Sequence, residues 1–171
     1  MLNERIILET SRFRVAEIQQ QLASGEINQR EVVRHPGSVV IIPFLEVNKV
    51  CLIKNKRVSV GRELIELPAG TLEPNEPALA CAERELAEET GYRANDVRPL
   101  MELLPAPGIL DERMQIFVAY DLTAGPPSRE PGEEIQNLVV TWDEAVQLVK
   151  EQKIVDAKTI VGILYAHFLL K

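Results

Sequence analysis

The chain has 171 residues, 46% hydrophobic and 26% charged, enough for one domain with a real core. Its net charge of −7 excludes a general attraction to nucleic acid or anionic membrane, so a polyanionic substrate would need its charge offset by something else. The two cysteines, Cys51 and Cys81, make no CxxC pair and no zinc spacing with His35 or His167, which reads as reduced core thiols in a cytoplasmic protein.

The opening MLNERIILETSRFRV carries charges throughout and lacks a signal-peptide core. RFRVAEIQQQL and EINQREVVRH read as two antiparallel strands joined at ASGE, rather polar, and suited to leaning on a partner surface. GSVVIIPFLEV is a strongly buried strand, and KVCLIKNKRVS is the next, with Glu46 to Lys49 as the turn. RELIELPAG is a short strand ending at Pro68 and Gly70. From about Pro77 to Glu89 the composition predicts a helix, with Asn75 able to cap it and Gly91 ending it. DVRPLMELLPA and ERMQIFVAYDL read as strands around the loop PAPGILDE, and TAGPPSREPGEE as a Pro/Gly-rich surface loop. NLVVTW is the last strand; DEAVQLVKEQ and DAKTIVGILYAHFLL are helices with Asp143 and Asp156 as caps. The most apolar run, TIVGILYAHFLL, is too short to span a bilayer. The order is mixed α/β rather than repeating βαβ.

The stretch Gly70 to Tyr92, GTLEPNEPALACAERELAEETGY, is strongly acidic. At about 100° per residue, Glu85 and Glu89 fall on one face with Glu88 beside them. Ala78, Cys81 and Ala82 continue that face, leaving room above the carboxylates, while Leu79 and Leu86 mark a core face. Like charges at this spacing cost a few tenths of a kcal/mol per pair in an isolated helix, which a solvated surface helix tolerates. Hard divalent cations would reverse the sign of that cost, because Mg²⁺ takes oxygen ligands and is shared between carboxylates and a substrate phosphate. From the helix alone both readings stand.

The longer string decides between them. Gly70, Glu76, Arg84-Glu85-Leu86, Glu88-Glu89 and Gly91-Tyr92 resemble, at the family spacing, the Nudix box of hydrolases acting on nucleoside diphosphates linked to another group. The resemblance implies an α/β fold: a Nudix-type α/β/α sandwich with a mixed sheet in residues 37–171. Residues 1–36 would add N-terminal antiparallel strands as a dimerisation element. It also implies Mg²⁺ or Mn²⁺ on Glu85, Glu88 and Glu89, with the Ala69 carbonyl joining them and Glu76 as a weaker candidate. Arg84 is expected to hold a glutamate in position.

REVVRHPGSVVIIP, IELPAGTLE, LLPAPGILDERMQIFVAYDL and DAKTIVGIL resemble the ADP-ribose pyrophosphatase branch. Pro107, fifteen residues beyond Tyr92, matches a proline of that branch, with Gly108 beside it. Among relatives a loop acid in this region activates water or binds metal; here Glu112 is the candidate, ahead of Asp111. Relatives carry a Gln-aromatic-Arg motif where this chain reads Asn55-Lys56-Arg57; the arginine is kept, so Arg57, with Lys56 as a second choice, is expected on a phosphate. Phe13, Arg30 and Arg34 fall where relatives hold the base, and of these Arg34 is taken as a substrate contact. The resemblance therefore implies metal-dependent hydrolysis of ADP-ribose to AMP and ribose 5-phosphate by a homodimer without nucleic-acid or membrane partners. GDP-mannose or another nucleoside diphosphate sugar is the alternative substrate. A non-catalytic nucleotide sensor and a hydrolase of damaged nucleoside triphosphates are the competing functions. No residue pair points to a covalent nucleophile, and GTLEPNEP lacks a Walker-type ending.

Overall fold

A computed structural model describes residues 3–46, 48–129, 132 and 134–170. Val47 of the expected turn, and Glu130, Pro131 and Glu133 of the expected Pro/Gly-rich loop, lie outside the described residues.

The N-terminal segment forms three strands, one more than the sequence pattern suggested: β1 (Glu4–Glu9), β2 (Arg14–Gln21) and β3 (Ile27–Arg34), in an antiparallel sheet of order β1-β2-β3. Its burial is shallow. Ala16 is fully buried, whereas Ile6, Ile7, Leu8 and Ile27 are exposed, and every residue of β1 is exposed.

The second sheet is built around β4 (Ser38–Glu46), where Val39 to Ile42 are all fully buried. Continuous burial, rather than alternation, means that both faces of this strand are covered. Val39 and Ile41 pack in a cluster with Cys81, Ala82 and Leu86 of the acidic helix. Val40 and Ile42 pack on the opposite side with Ala145, Val146, Ile163 and Ala166 of the two late helices. That is the α/β/α sandwich. Strand β5 (Lys49–Arg57) meets β4 only near their turn, at Phe44 with Val50 and Glu46 with Lys49. Further along, β6 (Arg62–Glu66) lies beside β5, and β7 (Ala69–Thr71) lies beside β4. Ala69 and Gly70, expected to end a strand, therefore begin a new one. β8 (Tyr92–Leu103) and β9 (Met114–Ala124) complete one side, and β10 (Ile135–Thr141) pairs with β5 on the other. β4 and β9 run parallel while the other pairs are antiparallel, so the sheet is mixed.

Helix α1 (Ala78–Glu85) leads into a π-turn, Leu86–Thr90, and Gly91 leaves it at φ +80°. A Cβ on Gly91 would lie 2.2 Å from the Gly125 carbonyl oxygen, so glycine is required there for space as well as for backbone angle. Asn75 does not cap α1. It sits at φ +64° in the preceding turn, and Pro77 is the N-cap residue, with no side-chain bond. Leu79 is 44% exposed, while Cys81 and Ala82 are buried. The small residues thus let α1 approach β4 closely instead of opening space above the carboxylates. Helix α2 (Trp142–Lys150) begins in a capping box of Thr141 and Glu144, not at Asp143. Helix α3 (Ala157–Leu169) is capped by Asp156, as its sequence suggests. Among the described residues no helix is long and apolar enough to cross a membrane.

Candidate active site

The segment Pro68-Ala69-Gly70, where β7 begins, lies against the acidic helix with no room for a side chain at Gly70. A Cβ built on Gly70 would stand 1.8 Å from Glu85 Cδ and 1.9 Å from Glu85 Oε1. Bare backbone therefore lies against the Glu85 carboxylate. Next to it, the Ala69 N–H donates to Glu89 Oε2 at 3.0 Å, and Glu89 is 3% exposed. So Ala69, Gly70, Glu85 and Glu89 lie together, and Glu88 stands toward solvent beside them.

Arg84 organises the outer carboxylates. Its Nη1 donates to Glu85 Oε1 at 2.8 Å and to Glu88 Oε2 at 2.9 Å, while its Nε and Nη2 grip Glu76 at 2.8 and 3.0 Å. One planar guanidinium thus serves three carboxylates, a geometry an ammonium could not reproduce. The Glu76 hydrogen bonds come first among the causes that raise the Arg84 pKa, and Arg84 in turn holds the Glu76 carboxyl down at about 2. Glu76 is therefore engaged as a partner of Arg84. Because its folded pKa lies below the ordinary value of 4.5, its stabilising contribution is complete above about 4.5 and disappears as pH falls toward about 2. Glu76→Gln is expected to lower the urea midpoint relative to wild type near neutral pH, with the gap closing over that acid range. A gap independent of pH would show that Glu76 contributes no charge-dependent stability.

Glu112 stands just before β9. Its Oε1 accepts from Ser38 Oγ at 2.6 Å and lies 3.6 Å from His35 Nδ1, which itself accepts from the Gly37 N–H at 3.1 Å. Ser38 pairs across β4 and β7 with Thr71, and the Thr71 carbonyl accepts from Arg84 Nη2 at 3.4 Å. Glu112 is thereby linked to the glutamate cluster through one strand pair. Asp111 has a different task. It accepts from the His35 N–H at 2.9 Å and from Arg34 Nη1 at 2.8 Å, fastening the loop to β3. Burial raises the Asp111 pKa, but these bonds outweigh it and leave the carboxyl lowered. Arg34 also grips Glu4 in β1 through Nε and Nη2 at 3.1 and 2.8 Å, so three of its five N–H groups are engaged within the chain. Pro107 and Gly108 are exposed.

Arg57 binds Glu66 in a bidentate pair, Nε to Oε1 at 2.8 Å and Nη2 to Oε2 at 2.6 Å. Glu66 is fully buried, and Lys158 Nζ donates to its Oε2 at 2.6 Å and to Asp156 at 2.9 Å. Burial alone would raise the Glu66 pKa, yet the two cations bring it below the ordinary value. The same cap region supplies Thr159 Oγ1 to the Leu67 N–H at 2.8 Å, and the Pro68 carbonyl accepts from the Ile41 N–H at 2.9 Å. The segment entering β7 is thus pinned to α3 and to β4. Nothing local in the string DAKTIVGIL tells that Lys158 reaches a glutamate 92 residues away.

The donor set suits a hard divalent cation: carboxylate oxygens beside strand backbone at Gly70 that no side chain can cover. Among the described residues no group of three or more His, Cys, Asp or Glu is already gathered to hold an ion. The geometry gives the reason, since Arg84 draws Glu76, Glu85 and Glu88 to itself while Ala69 holds Glu89.

Residues 34–161 match the NUDIX domain family. The chain is 35% identical over 147 residues to the methanol dehydrogenase activator of Bacillus methanolicus, covering 85% of this chain and 80% of that protein. It is equally similar, 35% over 147 residues with the same coverage, to the ADP-ribose pyrophosphatase of Bacillus subtilis (strain 168). In fold it is similar to a solved ADP compounds hydrolase, with a TM-score of 0.86 over 99% of this chain and 93% of that one at 22% identity.

Proposed function

We propose, from the premise that this chain belongs to the NUDIX domain family, that it hydrolyses the pyrophosphate bond of a nucleoside diphosphate sugar, with ADP-ribose as substrate and AMP and ribose 5-phosphate as products. The observation that carries this reading is that bare backbone at Gly70 lies against the Glu85 carboxylate, with Glu89 on the adjoining Ala69 N–H and Glu88 joined to Glu85 through Arg84. The similarity to an ADP-ribose pyrophosphatase supports the choice of sugar nucleotide.

Glu85, Glu88, Glu89 and the Ala69 carbonyl would hold the cation, Mg²⁺ or Mn²⁺. Bound there, it would polarise the phosphoryl group, lower the pKa of a bound water and stabilise the leaving oxygen. Arg84 keeps the outer carboxylates from splaying apart. Glu112, with Oε1 held by Ser38, takes the proton of the water that attacks phosphorus; the bridging P–O bond breaks and the other phosphate leaves. Arg57, oriented by the buried Glu66, offsets charge on the diphosphate. Arg34, Pro107 and Gly108 would contact the remainder of the substrate. Residues 1–36 would pair two copies, in keeping with the exposed Ile6, Ile7, Leu8 and Ile27. Both cysteines are free and buried, in keeping with a reducing cytoplasm.

A screen of ADP-ribose, GDP-mannose, NADH and diadenosine polyphosphates with Mg²⁺, read by a coupled phosphatase, tests the substrate. ADP-ribose should give the highest kcat/KM; preference for GDP-mannose would move the assignment to the other sugar nucleotide, and no turnover of any of them would favour a sensor. Glu112→Gln should lower kcat by roughly 10²–10⁴-fold with metal affinity unchanged. Normal kcat would take Glu112 out of the chemistry.

A further inference from the structure

The last turn of the glutamate helix should be the least stable part of the site. A helix end leaves its final carbonyls without intrahelical donors and carries partial negative charge, and here Glu88 and Glu89 add two carboxylates to that end. A π-turn loosens it further. Yet the carbonyls of all five of its residues have donors. Thr90 Oγ1 donates to the Leu86 carbonyl and the Gly91 N–H to that of Ala87 at 3.0 Å. The other three donors come from outside the helix: Ser128 N–H to the Glu88 carbonyl at 2.9 Å, Arg129 Nε to that of Glu89 at 3.0 Å, and Asn137 Nδ2 to that of Thr90 at 2.8 Å. Arg129 Nη2 also donates to Asn137 Oδ1 at 3.2 Å, joining the last two into one unit. Ser128 and Arg129 of the segment expected to be a surface loop, with Asn137 of β10, thus cap the site helix.

We infer that Arg129 and Asn137 are positioning residues for the metal-binding carboxylates: they fix the backbone from which Glu88 and Glu89 project, and Arg129 sets a cation against the helix end where negative charge accumulates. The inference rests on the proposed metal site and adds to it residues that lie outside the box. Side chains that orient ligands without touching the ion commonly change metal affinity by 10–100-fold on mutation. They act here through the main chain, so the effect should fall on metal binding while substrate affinity at saturating metal stays the same.

The test is calorimetric titration of Mn²⁺ into wild-type protein, Arg129→Gln, Arg129→Lys and Asn137→Ala, with thermal midpoints measured alongside. Arg129→Gln should bind Mn²⁺ roughly 10-fold more weakly or worse, with KM for the nucleotide sugar at saturating metal unchanged. Arg129→Lys, which keeps the charge and a donor, should recover part of the loss. If Arg129→Gln fails to fold, Asn137→Ala, which loses two uncharged-acceptor bonds at an exposed strand position but keeps the Arg129 bond to the Glu89 carbonyl, should show the same direction with a smaller effect. Folded variants that lose thermal stability but bind Mn²⁺ as wild type does would overturn the inference and reduce the cap to a structural role. Absence of Mn²⁺ binding by the wild-type protein would instead overturn the metal site itself.

Discussion

Gly70→Ala should fold normally and lose nearly all turnover. The added methyl would sit 1.8 Å from Glu85 Cδ and 2.4 Å from its Cγ, so the Glu85 side chain must move. The atoms in the way belong to a flexible side chain, not to backbone, and Gly70 does not occupy the left-handed region. The change in Glu85 rotamer should therefore cost only on the order of 1 kcal/mol. A displacement of about 1 Å in a positioned group can cost 10²-fold in rate, and the Glu85 carboxylate must move farther than that, so a loss of roughly 10²-fold or more is expected. Circular dichroism melting and steady-state kinetics on the same preparation check both halves. Turnover near wild type in a folded Gly70→Ala protein would show that the position of Glu85 is irrelevant to the reaction.

Glu89→Gln is expected to be at least as severe, for a different reason. Glu89 is 3% exposed and accepts from the Ala69 N–H, an interaction that the amide oxygen of glutamine can keep. Shape and fold should survive; what is lost is the formal negative charge that would hold the cation. Cation stabilisation of a phosphoryl transition state amounts to several kcal/mol, and each 1.36 kcal/mol is tenfold, so kcat should fall by roughly a thousandfold. Glu88, half-exposed at the outer edge with Arg84, should matter less when changed in the same way. A Glu89→Gln enzyme with ordinary turnover would remove Glu89 from the metal site.

What the sequence displayed was local. The unbroken apolar run in Val39 to Ile42 announced a buried strand, and the composition from Pro77 to Glu89 announced a helix ended by Gly91. What it hid was set by tertiary contacts. Leu79 looks like a core residue by spacing, but Cys81 and Ala82 form the contact with β4 and turn Leu79 outward. Asn75 looks like a cap, yet the turn places it at φ +64°. Thr141 caps α2 because Glu144 completes a box with it, two residues before the expected cap Asp143. Lys158, Glu66 and Arg129 carry no local signature, since each acquires its role from a partner far away in the chain. Arg34 and Arg57 were recognised as cations of interest, but their carboxylate partners, Asp111 and the buried Glu66, became visible only in three dimensions.

Every functional step assigned to this chain depends on divalent ions joining the glutamate face to an anionic diphosphate. Isothermal titration of Mg²⁺ and of Mn²⁺ into the wild-type protein, alone and with nucleotide, measures that directly. Uptake that strengthens when nucleotide is present and fails in Glu89→Gln is the predicted result. A flat titration under both conditions would contradict it.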